Sequence, residues 1–415
     1  MKDRAARRLV LALLGRTRHG SLTLVEGART RRFGDREPGG PMVTVRIHDI
    51  GFYPALLKGS IGLSEAYMDR MFDCRNLPEL ARLAALNMPQ LDRWRRGIRP
   101  LVALPQGLAR WGARNTPARA RKQISAHYDL GNDLFGLMLD PTMMYSCGIF
   151  ESDESSLHDA QIAKLDRICQ KLDLGPDDHV LEIGTGWGGF AIHAAANYGC
   201  RVTTTTISAE QLAMATQRVR EAGLEDRITL LLEDYRNLRG SYDKLVSIEM
   251  IEAVGWQYFD TFFERCGSLL HPDGAMLLQA ITIDDAAYEV EKATRSFANT
   301  HIFPGGCLPS LRVITRSLAR TGDLRAVDLE DITTHYVRTL RCWRENFLAQ
   351  LDRVRALGYD GRFQRLWELY LAYCEGGFDA RRIATLQLVL AKPRFVAPAP
   401  APVPMLLTAG ATELA

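Results

Sequence analysis

Residues Val180–Phe190 read VLEIGTGWGGF. An apolar run containing one acid leads into a turn of four glycines and a tryptophan, and apolar letters then resume at helical spacing. A buried strand ending in glycine lets the backbone approach a ligand at the carboxyl edge of a parallel sheet. Glycine suits such a turn because it accepts positive φ and carries no Cβ. Gly184, Gly186 and Gly188 are therefore candidate cofactor-binding residues, and Gly189 completes a G-x-G-x-x-G by position. A dinucleotide enzyme would carry a small residue where Trp187 stands, and an acid about 20 residues on to hold a ribose. The next strand candidate ends in TTTTIS with no acid, and Glu182, inside the first motif, is the acid on offer.

Outward from this turn, strand candidates His179–Gly184, Arg201–Ile207, Ile228–Glu233, Lys244–Glu249 and Ala275–Ile281 alternate with helical patterns. That alternation predicts an α/β domain with a doubly wound parallel sheet. Residues 331–375 are dominated by helical periodicity, and Ile383–Ala391 reads as a returning strand. Residues 1–92 combine strand-like Ser21–Val25 and Met42–Ile47 with a helical stretch, Leu63–Phe72, and read as a small N-terminal α+β domain. A basic linker over 93–123 leads to a catalytic domain over 124–395. The last residues, 396–415, begin VAPAPAPVP and read as a disordered Pro/Ala tail.

The chain has 415 residues, 47% hydrophobic and 24% charged, enough for two or three domains with sizeable cores. The apolar run Leu9–Leu14 is far shorter than the about 20 residues a bilayer span needs, and no small-residue cleavage site follows it. Eight scattered cysteines form no CxxC pair and no Cys/His cluster of zinc spacing, which points to a reduced, cytoplasmic protein without a metal site. From Arg93 to Lys122 there are nine basic residues and no acid, with Trp94 and Trp111 among them. This pattern suits an anionic membrane surface; a solvated linker remains the alternative. No motif for nucleic acid accompanies the charge.

The LEIGTGWGG pattern resembles the first motif of S-adenosylmethionine (SAM) methyltransferases. YSCGIF (Tyr145–Phe150), TISAEQ (Thr206–Gln211), EDYRN (Glu233–Asn237), EMIEAVG (Glu249–Gly255) and IFPGGCLPS (Ile302–Ser310) join it in order between Gln123 and Pro393. Together they resemble the cyclopropane-fatty-acyl-phospholipid synthase family, and residues before 93 resemble the extra domain of its phospholipid-acting members. The resemblance implies a Rossmann-like SAM methyltransferase fold. It implies that Tyr145 and Ser146 reach the methionine end of SAM. It places Thr206, Ser208 and Gln211 at the ribose, although S-x-x-Q is also a helix capping box. Glu233, Asp234 and Tyr235 would meet the adenine; a helix cap by Asp234 is the alternative.

The activity so implied is transfer of a methyl group from SAM to the cis double bond of an unsaturated phospholipid acyl chain. A carbocation forms, and proton loss from the new methyl group closes a cyclopropane. The family is known to hold a bicarbonate for this proton. Its expected partners here are Cys147, Glu252, Tyr336, Gln279 and the backbone of Ile281. His127, in a segment resembling the family's cofactor-covering helix, is given no direct chemical role. Many bacterial members carry histidine where Gln279 and Ala253 stand, whereas plant-type members resemble this chain. A glutamine can donate but carries no charge. The alternatives are therefore a methyl- or methylene-branched product without ring closure, and a silent SAM- or lipid-binding protein. The expected location is the inner face of a membrane, peripherally bound. The N-terminal domain has two readings, sensing the bilayer and forming a homodimer.

Overall fold

The protein is described from a computed structural model, which describes residues 2–89, 92 and 131–396. The basic stretch Arg93–Lys122, with Trp94 and Trp111, lies outside the described residues, as do His127 and the tail beyond Val396.

The chain opens with helix α1 (Lys2–Leu14), followed by strands β1 (Ser21–Glu26), β2 (Arg29–Phe33) and β3 (Met42–Ile47). Strand β4 (Phe72–Cys74) completes a sheet of order β2-β1-β3-β4, in which β1 and β3 run parallel. β3 alternates as its sequence demands, with Val43, Val45 and Ile47 inward. The helical stretch expected over Leu63–Phe72 is displaced: helix α2 spans Ser60–Met68, and Phe72 already belongs to β4. Arg70, at φ 58°, turns the chain out of the helix.

After helix α3 (Leu157–Lys171), capped by a Ser156–Asp159 box, the second sheet begins. Strand β5 (His179–Ile183) leads to helix α4 (Gly189–Tyr198), β6 (Arg201–Thr206) to helix α5 (Ala209–Glu221), and β7 (Ile228–Leu232) to β8 (Tyr242–Ile248) and β9 (Leu270–Ile283). These five strands are parallel, and the order runs β9-β8-β5-β6-β7. The order reverses beside β5, and the carboxyl end of the strand at such a reversal is where open α/β sheets bind ligands.

The sheet is not wholly parallel, which corrects the expectation. Strand β10 (Arg325–Asp331) and strand β11 (Ile383–Ala391) extend it beyond β9, and β11 is antiparallel to both neighbours. β10 went unread because it is an edge strand with almost no buried face; Val327 and Leu329 are exposed among its charges. Between β10 and β11 lie helix α6 (Thr333–Ala349) and helix α7 (Gly361–Asp379).

Alternation along the strands feeds two cores. Leu181, Ile183, Met276, Leu278 and Ala280 face one side of the sheet, and Val180, Ala275 and Leu277 the other. A third cluster joins the N-terminal sheet to α6, α7 and Trp187. The Tyr67 hydroxyl donates to Glu368 (2.9 Å), and the Arg365 guanidinium donates to the carbonyls of Tyr67 and Phe72. A Cβ at Gly376 would stand 2.4 Å from the Pro78 carbonyl, so α7 approaches the N-terminal domain at backbone distance. The N-terminal sheet thus ends at Cys74, while the packing of this region continues onto α7.

Candidate active site

The turn after β5 uses its glycines in two ways. Gly184, Gly186 and Gly188 have φ of 109°, 51° and 86°. The amides of Gly184 and Thr185 both donate to the Thr205 carbonyl at 3.0 Å, which folds the turn onto β6. A Cβ on Gly186 would meet nothing within 4 Å, so this residue faces an open cradle. A Cβ on Gly189 would lie 2.5 Å from the Met144 sulfur and 2.7 Å from the Thr142 carbonyl, so Gly189 serves packing. Trp187 is buried; its indole N–H donates to Asn132 (2.7 Å) and its ring meets Phe135. Arg218 clamps the turn by donating to the carbonyls of Trp187 (2.7 Å) and Thr142 (3.0 Å).

Glu182 is buried beneath this turn and accepts a 2.6 Å hydrogen bond from the Thr204 hydroxyl. Burial pushes its carboxyl up to about 8. Lys164, from α3, is fully buried and donates to the Ser146 hydroxyl (2.9 Å). Burial pulls its ammonium down to about 8, against attraction by Glu249 and, more weakly, Asp140 and Glu182. Sequence reading missed Lys164. The available signal was a lysine on the apolar stripe of α3, between Ala160 and Ile168. Tyr145 meets Tyr370 through their hydroxyls (2.6 Å) and packs its ring against Phe135 and Trp343.

The Thr206–Gln211 segment closes on itself. The Ser208 hydroxyl caps α5 by accepting from the Gln211 amide (3.3 Å), but the return arm of a capping box is not formed. The Gln211 side-chain oxygen accepts instead from the Thr206 hydroxyl (2.8 Å), and Thr206 accepts from the Ser208 N–H (3.1 Å). In the EDYRN segment Glu233 accepts from Asn237, and Asp234 holds the Arg236 guanidinium through both oxygens (2.8 and 2.6 Å). Tyr235, expected as an adenine platform, lies in the hydrophobic core with its ring 5.6 Å from Phe262.

A carboxylate centre lies at the carboxyl ends of β8 and β9. Glu249 has φ 49°, a left-handed conformation that is costly for a non-glycine residue. Its Oε1 accepts from the Cys147 backbone N–H (2.9 Å) and from Gln279 Nε2 (2.8 Å). Its Oε2 accepts from the Tyr336 hydroxyl (2.5 Å). Gln387 on β11 donates to the Gln279 carbonyl oxygen (3.0 Å), which leaves the amide nitrogen turned toward Glu249. Tyr336, on α6, stacks on Phe378. His335 beside it serves elsewhere, its ring accepting from the Phe150 N–H, while Thr339 holds the Gly148 N–H.

Glu252 stands apart from these donors. Its Oε1 accepts from the Ile281 N–H, and its buried Oε2 has no partner among the described residues. Both glutamates keep some accessible surface yet sit deep in the protein, and that depth pushes both carboxyls up. Glu252 reaches about 8, first through burial and then through repulsion by Glu249. The Cys147 thiol is buried and raised well above its ordinary value, so its contribution is a backbone donor and not a nucleophile. The structure thus divides the groups expected around one anion. Cys147, Gln279 and Tyr336 converge on Glu249, and only Ile281 meets Glu252.

All eight cysteines are free, and no group of potential metal ligands occurs among the described residues. The open glycine cradle beside Glu182 fits SAM: Gly186 leaves space for a ligand to approach the backbone, and the buried acid lies at the same strand end.

A family model described as mycolic acid cyclopropane synthetase matches residues 115–388. The chain is 38% identical over 340 residues to the tuberculostearic acid methyltransferase UfaA1 of Mycobacterium tuberculosis, covering 80% of this chain and 79% of that protein. It is 38% identical over 359 residues to the cyclopropane-fatty-acyl-phospholipid synthase of Escherichia coli, covering 85% and 89%. Among solved structures, mycolic acid cyclopropane synthase CmaA1 complexed with SAH and CTAB superposes with a TM-score of 0.62 at 31% identity, covering 66% of this chain and 98% of that one. By its matched residues, its glycine turn and its seven-stranded sheet, the chain belongs to the mycolic acid cyclopropane synthetase family of SAM-dependent methyltransferases.

Proposed function

We propose that this protein methylates the cis double bond of an unsaturated phospholipid acyl chain and closes a cyclopropane ring. The observation that carries the reading is that the glycine turn and the carboxylate centre both lie at the carboxyl ends of the adjoining strands β5, β8 and β9. An alkene is a poor nucleophile, so the reaction needs a strong methyl donor, a shelter for a cation and a base. SAM supplies the donor, its S–CH3 bond breaking as the alkene electron pair forms the new C–C bond. Gly184, Gly186 and Gly188 would hold its methionine end with Tyr145 and Ser146, Glu182 would lie beneath it, and Thr206, Ser208, Gln211, Glu233 and Asp234 would line the nucleoside end. The rings of Tyr145, Tyr336, Trp343 and Phe378 pack beside one another near Glu249, and aromatic faces favour cations while excluding water. For the base, the resemblance offers bicarbonate, and the geometry offers a carboxylate already in the chain.

The lipid must be reached at a membrane. No helix among the described residues is long and apolar enough to cross one. The Arg93–Lys122 stretch supplies the charge for peripheral docking on an anionic inner face. The extra N-terminal domain is assigned to bilayer sensing or to a homodimer contact.

A second reading, a methyl- or methylene-branched product, is favoured by the equal identity of this chain to two relatives named for different products. Incubating the protein with labelled SAM and unsaturated phospholipid vesicles tests both. A mass gain of one CH2 establishes transfer, and NMR separates ring protons from an exocyclic alkene. No label in lipid would leave only the silent binder.

A further inference from the structure

We propose that Glu249 is the base of the reaction, a carboxylate built into the chain at the place where the resemblance puts a bicarbonate. The inference rests on the lipid methylation proposed above. Carboxylate and bicarbonate present the same planar O–C–O unit. The three groups expected to hold that unit, the Cys147 N–H, the Gln279 amide and the Tyr336 hydroxyl, are already bonded to the two oxygens of Glu249. The fourth, the Ile281 N–H, is bonded to Glu252. The donors therefore do not fit a separate anion.

Two further observations point to a chemical role. Glu249 adopts a left-handed backbone that aims its side chain back across β9 toward Cys147 and Tyr336, and strained non-glycine positions of this kind gather at functional sites. Glu249 as a residue also keeps some accessible surface, although its carboxyl group lies deep. The pair is asymmetric. Among the described residues Glu249 has three donors and Glu252 has one, so a single negative charge shared between them resides on Glu249. Burial and repulsion keep Glu252 protonated at neutral pH, and burial raises Glu249 toward the range in which a base works best.

The step balances. With the methyl group transferred, one former alkene carbon is cationic. A C–H bond of the new methyl group breaks, its electron pair closes the ring onto that carbon, and the proton passes to a Glu249 oxygen, from which solvent later removes it. If a hydride first shifts from the carbon bearing the new group to the cationic carbon, the positive charge moves beside the methyl group; breaking a methyl C–H bond then makes an exocyclic double bond, and Glu249 is again the acceptor.

The test uses the purified full chain, SAM and vesicles of unsaturated phosphatidylglycerol in buffer freed of carbon dioxide. The wild type is expected to turn over at a rate that changes less than about two-fold when bicarbonate is added, because the base is supplied by the chain. A rate that depends on added bicarbonate overturns the inference. Glu249→Gln keeps the shape of the side chain but cannot accept a proton. It is expected to lose about 100-fold or more in turnover while SAM affinity and melting temperature stay near wild type. A Gln variant with wild-type turnover overturns the inference; if that variant fails to fold, the wild-type bicarbonate titration still decides. A wild type that adds no CH2 under any condition refutes the proposed function, whereas a CH2 gain that requires bicarbonate refutes only this assignment.

Discussion

The Tyr336 hydroxyl donates a 2.5 Å hydrogen bond to Glu249 across 87 residues of sequence, joining α6 to the carboxyl end of β8. The bond favours the ionised form of Glu249, the form that the proposed base requires. Tyr336→Phe removes it and keeps the ring stack on Phe378. A hydrogen bond to a charged group contributes about 1.5–3 kcal/mol, so turnover should fall about 10- to 100-fold with SAM affinity unchanged. Steady-state rates on phospholipid vesicles, with SAM binding by calorimetry, check this. A parallel loss of SAM binding would move Tyr336 into the cofactor site.

Glu252→Gln should be milder than Glu249→Gln. With its carboxyl pushed up to about 8, Glu252 is neutral at pH 7, and a neutral amide resembles it. Comparing both variants at pH 6.5–7 (about neutral, below that value) gives the order. If Glu252→Gln loses as much turnover as Glu249→Gln there, the ionised member of the pair has been misassigned.

The glycine turn separates ligand contact from packing. Gly186→Leu places a side chain into the open cradle; the left-handed φ costs about 1–2 kcal/mol, but the added Cβ meets no neighbour. SAM affinity should drop beyond detection while the fold survives. Gly189→Ala drives a Cβ against Met144 and the Thr142 carbonyl, and overpacking of this kind costs about 1–3 kcal/mol. Its melting temperature should fall. Circular dichroism melts beside SAM titrations distinguish the two; intact SAM binding in Gly186→Leu would contradict the cradle.

Glu182 makes stability depend on pH in a stated direction. Its folded-state value of about 8 lies above its ordinary 4.5, so between these values the native chain holds a proton that the unfolded chain has released. Stability from this group is therefore fully present below the ordinary value and is lost as pH rises toward about 8. Glu252 acts with the same sign, and Lys164, lowered from 10.5 to about 8, acts oppositely but only above that pH. Glu182→Gln, which can still accept from Thr204, should gain on the wild type in melting temperature as pH is raised from 5 to 8 (about the span between the two values). A difference that stays flat with pH would show that Glu182 titrates normally.

The Arg93–Lys122 stretch should bind anionic vesicles reversibly, since each basic residue near such a surface contributes about 1 kcal/mol and salt screens it. Replacing Arg95, Arg96 and Arg99 by Gln should weaken binding and flatten its salt dependence. Vesicle sedimentation with and without anionic lipid, across a salt series, measures both. Unchanged binding would sink the docking proposal.

The sequence by itself determined what local patterns can carry. β3 was located by its period-two alternation, and β5, β6 and β11 by short runs of apolar or β-branched residues that are buried on both faces, each to within a residue or so. The glycine turn was legible because positive φ admits few residue types. β10 was not legible, since an edge strand with nothing to bury leaves no periodicity. Only the tertiary structure decided which glutamate of EMIE is central. Glu249 and Glu252 are equivalent as letters, but Glu249's three donors come from 102, 30 and 87 residues away. Hydrogen-bond donors act over about 3 Å of space, and sequence distance does not encode which of them a fold brings together.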